Sequence, residues 1–267
     1  MNRIKNFAYV FLSAIVISGC TSVQLINSKL PEQNIEIDGL DNEWSGSYTF
    51  IEDEKVVIGA KNDNEYLYLV FKTMDKQIKQ KVLSNGLIIW IDPEADKEKK
   101  FGIHYPVGMM LWGNMQIYDP ADWGDPAERE QKLKEKSKLM LKEMGIISPY
   151  GRSEFDLSMN NPFGIEIALK DTTGALVYEM KIPMVSPEES MYSYTLLHTS
   201  QIKIGIETGE VDKGEMRSQR SGGGMPSGGM GGGGMMGKKG GKQGGKSGAM
   251  RNMMEPIKFW VDLHLAD

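Results

Sequence analysis

From residue 35 to residue 93 the chain is a series of short apolar runs with a period of two, cut by Asp, Asn and Gly. Ile35-Glu36-Ile37 alternates and stops at Asp38-Gly39, a pair suited to a turn that needs a side-chain acceptor and a positive φ. Val56-Val57-Ile58 and Tyr66-Leu67-Tyr68-Leu69-Val70-Phe71 are rich in β-branched and aromatic residues, which predicts two strands joined through residues 61–65. In the second run Leu67, Leu69 and Phe71 share one face, and Tyr66, Tyr68 and Val70 share the other. Residues 87–91 are apolar without alternation, the pattern of a central strand covered on both faces, and Asp92-Pro93 ends them. Trp44 is expected to plug one end of the core.

The same pattern resumes further along. Residues 101–118 predict two strands broken by Pro106. Asp125-Pro126 then reads as an N-cap followed by the first helical position. Leu133, Met140, Leu141 and Met144 form an apolar stripe among Lys and Glu, so residues 125–145 are expected to be an amphipathic helix capped by Gly145. Residues 165–169 and 176–182 predict a hairpin around Asp171-Thr172-Thr173-Gly174. Ile202, Ile204 and Ile206 alternate with Lys203, Gly205 and Glu207. Residues 256–265 send Ile257, Phe259, Val261, Leu263 and Leu265 inward, and Lys258, Trp260, Asp262 and His264 outward. Many short strands with turn signals between them define an all-β protein. The expected architecture is a single antiparallel β-sandwich, immunoglobulin-like or jelly-roll-like, over residues 35–267, with one inserted helix.

The N-terminus changes the picture of where this domain resides. Arg3 and Lys5 precede a short apolar stretch that ends in Ile17-Ser18-Gly19-Cys20. Residues 1–19 are expected to be a signal peptide, too short to span a bilayer as a mature helix. The four residues ending in Cys20 resemble the lipobox of bacterial lipoproteins, which implies lipid attachment at Cys20; a plain secretory signal is the alternative. Thr21, not Asp, follows the cysteine. By the same resemblance that implies the outer membrane of the cell envelope. Residues 20–34 are expected to be a polar tether. Cys20 is the only cysteine, so no disulfide forms within the chain. Removing Arg3 and Lys5 takes the formal net charge from −5 to −7, which argues against general nucleic-acid binding.

Much of the excess among 31 Gly and 19 Met lies in residues 216–254, expected to be a disordered insertion because such a composition cannot bury enough surface to offset its ordering entropy. Gly240-Gly241-Lys242-Gln243-Gly244-Gly245-Lys246-Ser247 fits the phosphate-loop pattern. No strand delivers it and no helix receives the phosphate, so no nucleotide partner is expected. Three readings stay open for the insertion. It is a plain linker, or a basic patch (Arg217, Arg220, Lys238, Lys239, Lys242, Lys246, Arg251) touching anionic glycan or lipid headgroups, or a set of thioethers for Cu(I).

Catalytic patterns are missing from the sequence: there is no zincin motif, no nucleophile elbow and no cysteine nucleophile, and His104, His198 and His264 lie in separate segments. Enzyme activity is therefore not expected. Asp-Gly and Trp in I-D-G-L-D-N-E-W, the Leu-Tyr strand of E-Y-L-Y-L-V-F-K, the Asp-Pro of G-L-I-I-W-I-D-P and the Glu-x-x-Ile-Pro of Y-E-M-K-I-P-M recur in an order that resembles the family 9 carbohydrate-binding modules and the wider DOMON-like sandwiches. The resemblance covers roughly residues 35–210 and the last strand. It implies a non-catalytic domain that binds a glycan or another small ligand through aromatic side chains, in some relatives with calcium and in others with haem. The ring of a sugar presents an apolar C–H face that stacks on an aromatic. Trp90, Tyr105, Trp112 and Trp123 are the candidate ligand-binding residues, and each also reads as a core side chain. Asp38, Asp41 and Glu43 are candidates for calcium or for a turn of capped carboxylates. Haem would need His and Met axial ligands, for which His104 with Met109 and Met110 is the nearest approach; haem and copper are both disfavoured. An envelope scaffold that binds a protein partner is the rival expectation.

Overall fold

The computed structural model describes residues 23–108, 141–156, 163–172, 174–186, 193–209 and 255–267. Among the described residues twelve strands form two sheets. The seven-stranded sheet has the order β1-β12-β11-β5-β6-β7-β8, from β1 (Gln24–Asn27), β12 (Lys258–His264), β11 (Gln201–Thr208), β5 (Leu87–Asp92), β6 (Phe101–His104), β7 (Glu143–Ser148) and β8 (Gly151–Asp156). The five-stranded sheet has the order β2-β3-β4-β10-β9, from β2 (Tyr48–Ile51), β3 (Val56–Asn62), β4 (Tyr66–Thr73), β10 (Leu176–Pro183) and β9 (Glu166–Asp171). Every pairing is antiparallel except that of β1 with β12. The protein is a β-sandwich.

The alternation that predicts β4 also sorts its side chains. Leu67, Leu69 and Phe71 enter the main core between the sheets, with Ile89, Ile91, Ile204, Ile206, Val261 and Leu263 opposite them. Tyr68 and Val70 lie on the outer face and pack with Ile35, Trp44, Ala175 and Val177 in a second apolar cluster, roofed by the loop that precedes β2. Burying a row of such side chains stabilises the sandwich by about 1.5–3 kcal/mol each before entropy is subtracted.

Four expectations need correction. Residues 35–37 form no strand; Ile35 is buried as part of the roofing loop, where three alternating residues suffice to pack without pairing. Residues 24–27 belong to the fold and not to a tether: β1 lies beside β12, with Ile26 fully buried. A four-residue edge strand puts one apolar side chain inward, too few for a period to show. Gly145 does not cap a helix. It lies inside β7, between buried Met144 and Ile146, and the rest of the helix expected at 125–145 falls outside the described residues up to 140. A helix the pattern did not predict, α1 (Lys76–Asn85), joins β4 to β5. Asp75 caps it, Oδ1 accepting from the backbone N–H of Gln77 at 2.8 Å and Ile78 at 3.1 Å. Of its apolar side chains Ile78 and Val82, four apart on one face, are buried.

Candidate functional site

The motif residues converge, and what they build is structural. Glu179 of β10 is fully buried on the outer side of the five-stranded sheet. Its Oε1 accepts from Trp44 Nε1 at 2.6 Å, and its Oε2 accepts from the backbone N–H of Gly39 at 2.7 Å and Asp38 at 3.1 Å. Gly39 has φ +78° and a Cβ there would meet Lys170 Cβ at 2.8 Å, so the turn closes on β9 only with glycine. Burial pushes the Glu179 carboxyl pKa up, against the downward pull of the three donors. Asp-Gly, Trp and Glu thus form one knot that fastens the roofing loop to the sheet.

Two of the carboxylates proposed for calcium, Asp38 and Asp41, are engaged separately, while Glu43 Oε2 is buried without a hydrogen-bond partner. Asp38 Oδ1 accepts from Leu40 N at 2.7 Å. Asp41 Oδ2 pairs with Lys72 and accepts from Tyr48 Oη at 2.7 Å; burial raises its pKa, but these partners hold it below the usual carboxylate range. Among the described residues no group of three or more His, Cys, Asp or Glu side chains could hold a metal ion. Asp92 at the end of β5 likewise serves its own loop, accepting from Glu94 N at 3.2 Å and Lys97 N at 2.6 Å.

Trp90 and Tyr105 do not present a stacking surface. Trp90 is 6% exposed and Tyr105 3%. Trp90 lies on the outer face of the seven-stranded sheet, where its ring occupies the space a Cβ would fill at Gly102, at 2.7 Å. Its Nε1 donates to Glu207 Oε2 at 3.0 Å, and the Lys99 ammonium sits 5.2 Å above the ring. Tyr105 packs into the main core, its hydroxyl donating to the Leu141 carbonyl at 3.2 Å. Trp112, Trp123 and Cys20 lie outside the described residues, as do Met109, Met110 and residues 216–254.

One tryptophan that the sequence placed outward, without assigning it a ligand, shares that face with Trp90. In the registers of β12, β11, β5 and β6, Trp260 pairs with Gly205, Gly205 with Trp90, and Trp90 with Gly102. A row Trp-Gly-Trp-Gly therefore crosses four strands. Trp260 is half-buried, its six-membered ring against Gly205 at 3.0 Å from the position of a Cβ. Charged pairs line both sides of it. Lys203 pairs with Asp262 on one side. On the other, Lys258 approaches Glu207 Oε1 at 3.7 Å, while Lys99 and Trp90 share Oε2 of the same carboxylate. The signal was available in the sequence as Ile-Lys-Ile-Gly-Ile-Glu beside Lys-Phe-Trp-Val-Asp, but only the register puts glycine opposite tryptophan.

Next to this row, His104 of β6 is fully buried and neither ring nitrogen has a hydrogen-bond partner. Burial first, and then the Arg152 charge, lower its pKa to about 3; the Asn85 carbonyl opposes them weakly and out of bonding geometry. A neutral imidazole wedged against Gly86 is the result.

Between the sheets lies a water-sized apolar void, lined by Ile58, Leu69, Phe71, Ile89, Tyr178, Ile204 and Ile206. No family model matches the chain and no curated protein matches it. Among solved structures, the chain is similar to a family 9 carbohydrate-binding module from Caldicellulosiruptor kristjanssonii in complex with glucose, at 10% identity and a TM-score of 0.31, over 72% of this chain and 81% of that one. It is similar to such a module from the same organism in complex with cellotriose at 10% identity and a TM-score of 0.32, over 72% and 79%. At those values what can be said of a ligand rests on this chain's own side chains.

Proposed function

We propose that this protein is a non-catalytic binding protein of the cell envelope, anchored by lipid at Cys20, whose sandwich holds a saccharide on the Trp260 face of the seven-stranded sheet. The observation that carries the reading is the part-buried Trp260 ring, backed by Gly205 and bordered by the Lys203–Asp262 and Lys258–Glu207 pairs. A pyranose would lay its C–H face on that ring while its hydroxyls reach the Asp262 carboxylate on one side and the exposed Lys258 ammonium on the other. Trp90, under Lys99, supports the sheet beneath the platform and does not touch the sugar.

Glycan-array screening and titration test this. Wild type binds at least one saccharide class, Trp260→Phe weakens binding a few-fold, and Trp260→Ala abolishes it with the far-ultraviolet spectrum unchanged. Binding indifferent to Trp260→Ala would overturn the saccharide reading in favour of a scaffold for a protein partner. Metabolic acyl labelling, compared between wild type and Cys20→Ser, tests the anchor.

A further inference from the structure

We infer that the saccharide recognised by the Trp260 face is the headgroup of a glycolipid in the same membrane that holds Cys20. The inference rests on the anchor and the saccharide site proposed above, and adds where the ligand must be.

The first described strand removes the slack from the anchor. β1 and the two residues after it are bound to both sheets. Ile26 is 1% exposed in the core, and Ser28 N donates to the His264 carbonyl at 2.8 Å. The next residue crosses to the other sheet, where Lys29 N donates to Ala60 O at 3.2 Å and Asn62 N to Lys29 O at 3.1 Å. The Asn62 side chain then accepts from Ser28 Oγ and from Ala266 N at 2.8 Å, and donates to Ala266 O at 3.0 Å. A domain on the flexible tether expected at residues 20–34 would tumble freely over its membrane. Here the rigid part of the chain begins within three or four residues of Cys20.

Reach follows from chain dimensions. Three residue steps from Cys20 to Val23 span at most about 11 Å. The parallel register sets Gln24 beside Val261, so Val23, one residue earlier, lies level with Trp260 on the neighbouring strand. Adding one strand spacing, the Cα atoms of Cys20 and Trp260 are no more than about 16 Å apart. With an acylated cysteine at the bilayer surface, that limit keeps Trp260 within reach of lipid headgroups.

The intervening surface suits that depth. Leu25 pairs with Asp262 on the outer face and is 44% exposed, an apolar side chain between the anchor and the platform. Lys258 is exposed, and its long stem can lie along an interface with the ammonium in water. A headgroup confined to this plane meets the site at millimolar effective concentration without any new contact, an advantage that a polymer outside the headgroup layer lacks.

The test uses the acylated full-length chain in vesicles. The readout is Trp260 emission, taken as the difference between wild type and Trp260→Phe. Three probes are compared: vesicles of total polar lipid from the bacterium's own envelope, the water-soluble headgroups released from that lipid by deacylation, and the soluble polysaccharides of a glycan array. A flexible Gly-Ser spacer of about 20 residues inserted between Ser22 and Val23 adds about 25 Å of reach. We expect the envelope lipid to shift Trp260 emission, and the spacer to raise the lipid fraction needed for half-effect about tenfold or more. A spacer without effect, with free headgroups equally good, overturns the membrane inference. So does a polysaccharide that binds while the lipid does not, and in both cases the saccharide reading stands. No response to any probe sinks both readings.

Discussion

The Glu179 knot makes the sharpest prediction about what holds the sandwich together. Replacing Glu179 with Ala removes one acceptor group and orphans three donors at once: Trp44 Nε1, Gly39 N and Asp38 N. Leaving a buried donor unpaired costs about 1–3 kcal/mol, and the Asp38 N–H, being part-buried, recovers some of that from water. The expected loss is about 3–6 kcal/mol, a large share of the roughly 5–15 kcal/mol by which a domain is stable. For a chain of this size that lowers the melting temperature by roughly 10–20 °C.

Trp44→Phe removes only the indole donor and part of the ring, and is expected to cost about 2–4 kcal/mol from the lost bond and the cavity together. In the Glu179→Ala background the bond term has already gone, so the same substitution should cost about 1–2 kcal/mol less there. Urea unfolding of the four proteins, followed by far-ultraviolet circular dichroism so that Trp44 is not its own reporter, measures both quantities. A Glu179→Ala cost below about 1 kcal/mol, or strict additivity with Trp44→Phe, would refute the idea that the knot fastens the loop.

Three further perturbations probe the outer face of the seven-stranded sheet. His104 is neutral when folded, its pKa lowered to about 3, whereas in the unfolded chain it titrates near 6.5. Between these values the unfolded chain binds more protons, so stability rises with pH across this window and is lost as pH falls from about 6.5 toward 3, by a few kcal/mol. His104→Leu should flatten that slope in urea midpoints measured from pH 4 to 7; an unchanged slope would mean His104 is not the group responsible. Gly102→Ala puts a methyl 2.7 Å from the buried Trp90 ring and is expected to cost about 1–3 kcal/mol in thermal melts. Gly205→Ala meets the part-buried Trp260 ring instead, at 3.0 Å, so that ring should lift; stability changes less, while saccharide affinity measured by calorimetry falls several-fold.

Periodicity made β4, the β9–β10 hairpin, β11 and β12 legible, because each has enough inward side chains to show a period, while β3 and β5 showed as β-branched or unbroken apolar runs. It also sorted the two faces of β4 between two different apolar clusters. Residues 87–91 read as a central strand for a reason the structure makes plain: Ile89 and Ile91 fill the main core while Trp90 is buried on the opposite face. Illegible were β1, whose inward contribution is Ile26 alone, and α1, whose apolar stripe is Ile78 and Val82 among Lys and Gln. Met144 misled in the other direction: its spacing from Met140 and Leu141 suits a helix, yet it fills the core from β7.

The motif residues show why resemblance in sequence reaches fold sooner than ligand. Asp38-Gly39, Trp44, Glu179 and Asp92 are recognisable because each satisfies a backbone or buried side-chain group that has no substitute: a positive-φ turn, an indole N–H, two loop N–H groups, a strand end. Those duties occupy their polar atoms, and a side chain so engaged is not free to hold a ligand. The residues left with unspent capacity are those no motif names. Trp260 keeps part of its ring open, Lys258 and Lys99 keep partly exposed ammonium groups, and Gly205 and Gly102 matter only for what they lack. Their meaning comes from three strand registers that align Trp260, Gly205, Trp90 and Gly102 across the sheet. A shift of one residue in any of the three would turn an aromatic into the core and break the row. The binding surface is therefore a property of pairing between strands distant in sequence.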